Sequence, residues 1–230
     1  LLFGKEHGEV LAVIDAMSVT KIRTGAVSAV ATRALANPDA RVLAILGCGA
    51  QGHSHLNAMA VSMHLEEVRC WDAYPPCAQA LAAAAGEKGL RGVACASARE
   101  AVRDADIICT LTPSKEPILQ GAWVKKGAHV NAVGACAPTA RELDSDLMAC
   151  SRIFCDNTES ILHESGDFLI PQQEGRYGAE HLRGTVGDVL LGRIPGRKTR
   201  EEITVFDAVG MAVEDIACGI YLYEQAEEKE

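Results

Sequence analysis

The chain has 230 residues, with 22 Lys or Arg against 31 Asp or Glu, so its formal net charge at pH 7 is −9. Hydrophobic residues make up 48% of the sequence and charged residues 23%, which is typical of a globular protein of one or two domains. Nucleic acids and anionic membranes bind clustered Lys and Arg, and no apolar run approaches the ~20 residues of a membrane helix. We therefore expect neither a nucleic-acid partner nor a membrane partner.

The cysteines indicate the cellular compartment of the protein, and the first residue indicates whether the sequence is a fragment. Nine cysteines are present, an odd number, and no C-x-x-C pair occurs, so we expect no disulfide framework and no metal site. Cys70 and Cys109 lie inside apolar runs, where thiols serve as small hydrophobic side chains in a reducing compartment. We therefore expect a cytoplasmic protein. The sequence opens inside a strand pattern with Leu1 and not with Met, so we also expect a fragment that lacks an amino-terminal part.

The first residues predict a hairpin followed by a helix. Two apolar runs within residues 1–16 flank a polar turn with two glycines. An Ala-rich helical pattern then covers residues 19–36 and stops at Asn37-Pro38-Asp39.

The middle of the chain alternates between short apolar runs and helical patterns. The predicted strands cover residues 41–46, 67–71, 93–95, 107–111, 129–133 and 153–155, and the predicted helices cover 53–64, 76–88 and 97–104. Repeated strand–helix units indicate an α/β fold with a doubly wound parallel sheet of the Rossmann type. The remainder predicts helix and loop over 162–171 and 186–194, a charged loop over 193–202, and the end of a strand with a long helix over 204–227.

A glycine-rich turn follows the first buried strand. Residues 47–52 read Gly-Cys-Gly-Ala-Gln-Gly, a G-x-G-x-x-G pattern between a predicted strand and a predicted helix. Gly47 allows a tight turn, Gly49 lets a pyrophosphate approach the backbone, and Gly52 lets the helix pack against the strand. The diphosphate would lie at the positive end of the helix, beside Ala50 and Gln51. The pattern therefore predicts a dinucleotide cofactor.

An acidic residue after the second strand selects between the two nicotinamide cofactors. Asp72 lies 20 residues after Gly52 at the end of that strand. A carboxylate there accepts hydrogen bonds from the ribose hydroxyls and repels a 2′-phosphate, and no Arg follows it in Ala73-Tyr74. We therefore expect NAD(H) as the cofactor, with NADP(H) disfavoured.

Two later strands are expected to contribute to the same site, since ligands of such sheets lie beyond the carboxyl ends of the strands. Thr110, Leu111 and Thr112 would face the ribose, although capping of the strand end explains the two threonines equally well. Val133 and Gly134 would lie near the nicotinamide.

Four spaced motifs resemble the ornithine cyclodeaminase/mu-crystallin family over essentially the whole chain. They are Arg-Thr-Gly-Ala-Val-Ser at 23–28, Gly-Cys-Gly-Ala-Gln at 47–51, Asn-Ala-Val-Gly-Ala at 131–135, and Val-Phe-Asp-Ala-Val-Gly-Met-Ala-Val-Glu-Asp at 205–215. The resemblance implies a homodimer that transfers hydride at a carbon bearing an amine or imine of a small amino-acid or imino-acid substrate. It also implies three segments: 1–38 from a partly missing substrate/dimerisation domain, 39–160 as the NAD-binding Rossmann domain, and 161–230 as the return to the first domain.

The resemblance assigns roles to two further residues. Arg23 matches the family arginine that binds the substrate carboxylate, and a guanidinium fork suits that group. Cys136 stands where the cyclodeaminases carry an Asp and mu-crystallin carries a Ser. A thiol is a poorer base than a carboxylate at neutral pH, so Cys136 favours a reductase, although simple packing beside the nicotinamide explains it equally well. Glu214 and Asp215 are expected to form a solvated helix face or to cap the helix, and not to act in catalysis.

Three functions remain open on the sequence. The favoured one is an oxidoreductase that reduces a cyclic ketimine or imino acid with NADH, or deaminates an amino acid in reverse. The second is ornithine cyclodeaminase, which converts ornithine to proline and ammonia with NAD⁺ as a catalytic cofactor. The third is a protein resembling mu-crystallin whose main role is to bind the cofactor and a small ligand.

Overall fold

The computed structural model describes residues 1–228, in which there are ten strands and nine α-helices. The strands are β1 (Leu2–Phe3), β2 (Val10–Ala12), β3 (Val42–Leu46), β4 (Glu67–Trp71), β5 (Arg91–Ala94), β6 (Ile107–Thr110), β7 (His129–Ala132), β8 (Arg152–Cys155), β9 (Leu182–Thr185) and β10 (Thr204–Asp207). The helices are α1 (Ala16–Leu35), α2 (Ala50–Ser62), α3 (Pro75–Glu87), α4 (Ala98–Val102), α5 (Ser145–Cys150), α6 (Thr158–Glu164), α7 (Gly166–Gln173), α8 (Val186–Leu190) and α9 (Ala212–Glu227).

Eight of these strands form one parallel sheet in the order β5-β4-β3-β6-β7-β10-β8-β9. The chain leaves β3 toward β4 on one side, and β6 pairs on the other side of β3. The strand order therefore reverses at β3, which makes β3 the topological switch point. Doubly wound folds bind their ligands at this point. The α/β fold with a doubly wound parallel sheet is confirmed, and β1 and β2 form the predicted antiparallel hairpin.

Strands β3 and β6 at the centre of the sheet are almost wholly apolar because helices cover both faces of the sheet. Leu43 and Ile45 of β3 face a core layer built with side chains of α2 and α3. Ala44 and Leu46 of the same strand face the opposite layer, which includes α5 and α7. Alternate residues of one strand thus enter two separate cores, as the two-residue period of a strand requires.

Helix α1 packs against α2 and brings its own residues close to the glycine-rich turn. A side chain at Gly25 would lie 2.8 Å from the carbonyl oxygen of Ser54, so only glycine permits this approach. The buried ring of His55 joins the helices, with its Nε2 2.9 Å from the hydroxyl oxygen of Ser28. Burial lowers the pKa of His55 to about 4, so the ring is neutral. This packing fixes the position of Arg23 relative to α2.

The sheet continues past residue 160, where we predict the Rossmann domain to end. Strand β10 is fully buried and pairs in parallel with β7 and β8, and β9 extends the edge beyond β8. The sequence of β9, Leu-Arg-Gly-Thr, carries too little hydrophobic alternation to predict a strand. The segment after 160 therefore completes the central sheet before it forms α9.

Helix α2 begins earlier than predicted. The helical pattern predicts a start at residue 53, whereas the helix begins at Ala50 with Gly49 as its N-cap. The polar and glycine residues of the turn lack the apolar spacing of a helix, so the sequence pattern does not predict the first helical turn. The shift matters for the site, because it places Ala50, Gln51 and Gly52 in the first turn of the helix.

Candidate functional site

The glycine-rich turn has the geometry that its spacing predicts. Gly47 has a φ of +98°, and a Cβ there would lie 2.7 Å from the carbonyl oxygen of Leu111. A Cβ on Gly52 would lie 2.7 Å from the carbonyl oxygen of Gly47. Real Cβ atoms do not approach oxygens so closely, so both positions require glycine for packing within the protein.

Gly49 differs from these two glycines because its environment is open. An added Cβ would have no heavy atom within 4 Å, and no side chain of the described residues caps α2 at this position. The N–H groups at the start of α2 therefore face free space with the positive end of the helix dipole behind them. This cradle fits a diphosphate.

Asp72 lies against the turn. One carboxylate oxygen, Oδ2, accepts a hydrogen bond of 2.7 Å from the backbone N–H of Cys48, and Oδ1 accepts one of 2.8 Å from the N–H of Tyr74. The carboxylate is thereby held at the end of β4, beside the cradle. This is where a group that binds the adenosine ribose is expected.

The ends of β6 and β7 adjoin the turn as predicted. The N–H of Leu111 donates to the carbonyl of Leu46, and the N–H of Val133 donates to the carbonyl of Thr110, with distances of 2.8 and 3.1 Å. The side chain of Thr110 is fully buried inside the sheet, whereas Thr112 is half-buried beyond the strand end. Of the two threonines, Thr112 is therefore the better placed to meet a ligand.

A cavity of about 240 Å³ lies beside this edge of the sheet. It brings together four of the predicted site residues, Arg23, Gln51, Val133 and Cys136. The other lining residues come from α1 and from the loops after β8 and β10, and they are Thr20, Thr24, Val27, Asp156, Ala208, Val209 and Gly210. The motifs at 23–28, 47–51, 131–135 and 205–215 thus meet at one place.

Gln51 offers an unused acceptor at this cavity. Its side-chain oxygen Oε1 is buried and has no hydrogen-bond partner among the described residues. A buried amide oxygen without a donor is costly, so this atom suits the N–H of a ligand. The open cradle at Gly49 and the free oxygen of Gln51 both fit a bound dinucleotide.

Arg23 is held by two acidic residues of α9. Its Nη1 lies 2.9 Å from Oε2 of Glu214, and its Nε lies 3.3 Å from Oδ1 of Asp215. The expectation of a solvated face is wrong for Glu214, whose side chain is only 12% exposed and orients the guanidinium, whereas the Asp215 side chain is 41% exposed. Gly210 lies against Arg23, with a Cβ position 3.2 Å from Nη2, so a larger residue there would crowd the guanidinium.

Cys136 remains a thiol at neutral pH. Its Sγ donates a hydrogen bond to the carbonyl of Val133 at 3.4 Å. Partial burial raises the pKa of Cys136, and the carboxylates of Asp207, Glu142 and Asp156 raise it further. The side chain is therefore a poor general base in this position.

Two further carboxylates that the sequence reasoning missed lie at strand ends near the cavity. Asp156, directly after β8, accepts from the N–H groups of Asn157 and Gly210, each at 2.6 Å. Asp207, the last residue of β10, accepts from the hydroxyl of Ser165 at 2.7 Å. Burial raises the pKa of Asp207 to about 7, and the charges of nearby carboxylates add to this effect. An acid directly after a buried run was the available signal for both.

Asn131, in the motif at 131–135, lies away from the cavity. Asn131 is fully buried within β7, where its Nδ2 donates to the hydroxyl of Thr32 at 3.0 Å. This hydrogen bond connects the sheet to α1, and Asn131 does not reach the place expected for the nicotinamide.

Within residues 1–228, no group of three or more His, Cys, Asp or Glu side chains could hold a metal ion. The same residues include no helix with the length and apolar character needed to cross a membrane.

Comparison with known proteins identifies the relationship behind these motifs. The sequence profile of the ornithine cyclodeaminase/mu-crystallin family matches residues 1–230. The chain belongs to the ornithine cyclodeaminase/mu-crystallin family. The resemblance inferred from the four motifs is thus confirmed.

Members of this family include one close in sequence and two close in structure. The ketimine reductase mu-crystallin of Mus musculus is 42% identical over 224 residues, which cover 97% of this chain and 68% of the relative. The Δ1-pyrroline-2-carboxylate reductase of Thermococcus litoralis, solved in complex with NADH and L-proline, superposes with a TM-score of 0.96 at 35% identity, covering 99% of this chain and 71% of that one. An archaeal alanine dehydrogenase, solved as a dimer with bound NAD, gives a TM-score of 0.93 at 34% identity, covering 99% and 70%.

Proposed function

We propose that this protein is an NADH-dependent reductase of the carbon–nitrogen double bond in a small imino acid. The observation that carries the proposal is the cavity in which Arg23 and Cys136 meet Gln51 of the glycine-rich turn. A carboxylate-binding guanidinium thus lies beside the place where a nicotinamide would reach. The family relatives support the same chemistry, since they include a ketimine reductase and a pyrroline-2-carboxylate reductase.

The cofactor that fits the site is NADH. The N–H groups at Gly49, Ala50 and Gln51 would hold its diphosphate, and the Asp72 carboxylate would hold the ribose hydroxyls. When bound, NADH supplies a hydride. The Asp72 charge disfavours a 2′-phosphate, so NADPH is the weaker cofactor. Two structural relatives hold NADH or NAD, which supports this assignment.

The loops after β6 and β7 would flank the nicotinamide end of the cofactor. Leu111 and Thr112 follow β6, Val133 and Gly134 follow β7, and Val133 lines the cavity directly. Val133 presents an apolar side chain, which excludes water from the place of hydride transfer.

Arg23 would bind and orient the substrate carboxylate. Glu214 and Asp215 occupy its Nη1 and Nε, which leaves Nη2 to face an incoming anion. The two acids fix the guanidinium in place before the substrate arrives, and a preoriented group loses less entropy on binding. The carboxylate of Asp156, which lines the cavity, would favour a substrate whose imine nitrogen already carries a proton.

Cys136 favours imine reduction over deamination of ornithine. A cyclodeaminase must take protons from a substrate amine, and a carboxylate does this better than a thiol. The raised pKa of Cys136 weakens the thiol as a base still further. Reduction of a protonated ketimine asks for no base at this position, so a neutral thiol is compatible with it.

We also propose that the protein acts as a homodimer. A largely apolar surface runs over the hairpin, α1 and α9, and includes Val13, Met17 and Tyr221 with exposed fractions of 81%, 82% and 61%. Exposed apolar surface of this extent marks an interaction site. The archaeal alanine dehydrogenase is a dimer, which supports a subunit interface of this kind. Light scattering on the purified protein tests it by giving the mass in solution.

The test of the proposed function is an assay of NADH loss at 340 nm. The protein, expressed with any residues that precede Leu1 in its natural sequence, is mixed with NADH and 1-pyrroline-2-carboxylate or 1-piperideine-2-carboxylate. A parallel reaction with ornithine and NAD⁺ is analysed for proline and ammonia. We expect NADH consumption with at least one ketimine and no proline from ornithine.

Two other results would contradict the proposal. Proline and ammonia formed without net change in NADH would indicate a cyclodeaminase. Tight NADH binding with no turnover of any imino acid would indicate a protein whose role is to bind its ligands.

A further inference from the structure

Glu142 is a buried acid in the loop between β7 and α5, outside the cavity lining. Its side chain has no measurable exposure to solvent. Buried carboxylates are costly unless they are hydrogen-bonded, so the contacts of Glu142 show what it does.

The side chain of Glu142 joins the two loops that follow β6 and β7. Its Oε1 accepts hydrogen bonds from both the N–H and the hydroxyl of Thr112, each at 2.6 Å. Its Oε2 accepts from the N–H of Gly134 at 2.9 Å. One carboxylate thus spans the ends of two neighbouring strands.

The backbone of Glu142 is fixed on both sides. Its N–H donates to Oδ1 of Asp167 at 2.8 Å, and its carbonyl accepts from the N–H groups of Ile118 and Leu119 at 2.7 and 2.9 Å. Asp167 itself is fully buried at the start of α7. The carboxylate of Glu142 is therefore presented to the loops from a rigid support.

The contact between the loops leaves no spare volume. A Cβ at Gly134 would lie 2.3 Å from the carbonyl oxygen of Thr112 and 2.5 Å from Oε2 of Glu142. Loops packed so closely cannot shift independently while the carboxylate holds both of them.

We propose that Glu142 is a positioning residue that locks the loops after β6 and β7 together and thereby sets the surface on which the nicotinamide end of the cofactor lies. The inference rests on the proposed function, in which these loops flank the nicotinamide. Glu142 touches neither cofactor nor substrate and acts through Thr112 and Gly134.

The role requires a carboxylate and not merely a polar side chain of the same size. The N–H of Thr112 meets one oxygen of Glu142 and the N–H of Gly134 meets the other, so the side chain must accept at both oxygens. In Glu142→Gln the amide oxygen can keep the bonds to Thr112, but the NH₂ group would then oppose the N–H of Gly134. The substitution is expected to free the loop after β7 while leaving the adenosine half of the site intact.

The first measurement uses the unaltered protein without cofactor. Hydrogen–deuterium exchange resolved to single amides should show Thr112 and Gly134 protected to similar extents, despite their position in loops. Exchange of these two amides at the rate of free loop amides would overturn the proposal, whether or not the protein proves to be a reductase.

The second measurement compares Glu142→Gln with Glu116→Gln, the same chemical change at an exposed position of the loop after β6. In Glu142→Gln we expect amide exchange at Gly134 to accelerate by about tenfold or more, because the hydrogen bond that its N–H donates to Glu142 is replaced by an unfavourable contact between two donors. Exchange at Cys48, whose N–H is held by Asp72, should not change. Glu116→Gln should behave as the unaltered protein.

Kinetics separate positioning from general damage to the fold. We expect kcat for imine reduction to fall by about tenfold to a hundredfold in Glu142→Gln, because hydride transfer is sensitive to small misplacement. The Kd for NADH should change by less than about threefold, because the adenosine half supplies most of the binding contacts. The primary isotope effect with NADH deuterated at both C4 positions should rise as hydride transfer becomes rate-limiting.

A variant with unchanged kcat, isotope effect and Gly134 exchange would overturn the proposal. If Glu142→Gln does not fold, Thr112→Val replaces it, since this change removes the hydroxyl bond to Glu142, together with a longer bond from the N–H of Ser114, and should lower kcat in the same direction. Unchanged kinetics in Thr112→Val, together with unprotected amides at Thr112 and Gly134, would equally overturn it. Absence of imine reduction by the unaltered protein would count against the proposed function alone, because amide exchange tests the lock separately.

Discussion

In the proposed function, substrate binding depends most on the side chain of Arg23. Its guanidinium is fixed by Glu214 and Asp215 and keeps one face toward the cavity. In Arg23→Lys the positive charge remains but the planar fork is lost, so we expect KM for the imino acid to rise by about tenfold or more. The Kd for NADH should stay within about twofold, because Arg23 lies on α1 and not on the turn.

Arg33→Lys is the matched control for this prediction. Arg33 is an exposed residue of the same helix, so the change should leave KM as it is. An Arg23→Lys enzyme with unchanged KM would remove Arg23 from substrate binding. Steady-state kinetics over a range of ketimine concentrations provide the measurement.

Asp72 supports a second prediction at the residue scale, which concerns cofactor choice. Its carboxylate is held beside the turn by the N–H groups of Cys48 and Tyr74. We expect the unaltered protein to bind NADH at least about tenfold more tightly than NADPH, a difference of ~1.4 kcal/mol. In Asp72→Asn the preference should shrink, because the charge that repels the 2′-phosphate is gone.

Titration of both cofactors against both proteins tests this selection. A loss of affinity for NADH and NADPH together would indicate a distorted turn and not a lost charge. Equal affinities of the unaltered protein for the two cofactors would show that Asp72 is not the selector.

At the scale of elements, the turn from β3 to α2 offers a comparison between two glycines. Gly47 has a positive φ and no space for a Cβ, whereas Gly49 has open space. We expect Gly47→Ala to lower the unfolding free energy by ~2 kcal/mol or more through strain and overlap. Gly49→Ala should cost less than ~1 kcal/mol in the absence of cofactor, yet weaken NADH binding by about tenfold.

Thermal unfolding without cofactor and NADH titration give the two readouts. Gly86→Ala serves as the control, because an added Cβ there also meets no atom within 4 Å and lies on α3, away from the turn. Unimpaired NADH binding by Gly49→Ala would contradict a diphosphate site at the start of α2.

Sequence patterns predict a strand or helix well when the spacing of its apolar residues matches the spacing of its buried positions. Strand β4 begins and ends where predicted, and β3, β6 and β7 each differ by one residue at one end. Both faces of β3 and β6 are buried, so their apolar runs are nearly uninterrupted, whereas apolar residues alternate with polar ones in β4 and β7. Strand β9 was missed because it is a short edge strand with Arg and Gly in it, and partners on only one side make such a strand hard to recognise.

The site was predictable to the extent that local spacing determines it. The turn and the acid Asp72 follow from the pattern around one strand–turn–helix unit. The lock at Glu142 does not, because its partners Thr112 and Gly134 are 30 and 8 residues away and no local pattern pairs them. The sequence around Glu142 is polar and does not predict a buried side chain. Its burial results from the packing of α7 against this loop.

At the scale of the whole molecule, stability should depend on pH through buried carboxyls. Burial raises the pKa of Asp207 to about 7 from the usual 3.8, with further contributions from Asp156 and Glu142. The folded protein therefore holds this proton over a pH range in which the unfolded chain has lost it. The contribution of Asp207 to stability is full below pH ~4 and is lost as pH rises toward 7.

Urea unfolding at pH 5 and pH 7.5 tests this dependence. Between these values we expect Asp207 to account for a loss of about 2 kcal/mol of unfolding free energy. Asp207→Asn cannot titrate, so the fall between the two pH values should be smaller in this variant. An identical fall in both proteins would show that Asp207 ionises normally in the folded state.

Hydride transfer to the α-carbon of an imino acid is the property on which the proposed function depends most directly. The decisive measurement reduces 1-pyrroline-2-carboxylate with NADH that carries deuterium at both C4 positions and analyses the product by mass spectrometry and proton NMR. We predict proline that carries one deuterium at its α-carbon, formed in equal amount to the NAD⁺ produced. Proline without deuterium, or NADH that stays unoxidised while bound beside each ketimine tested, would contradict the account.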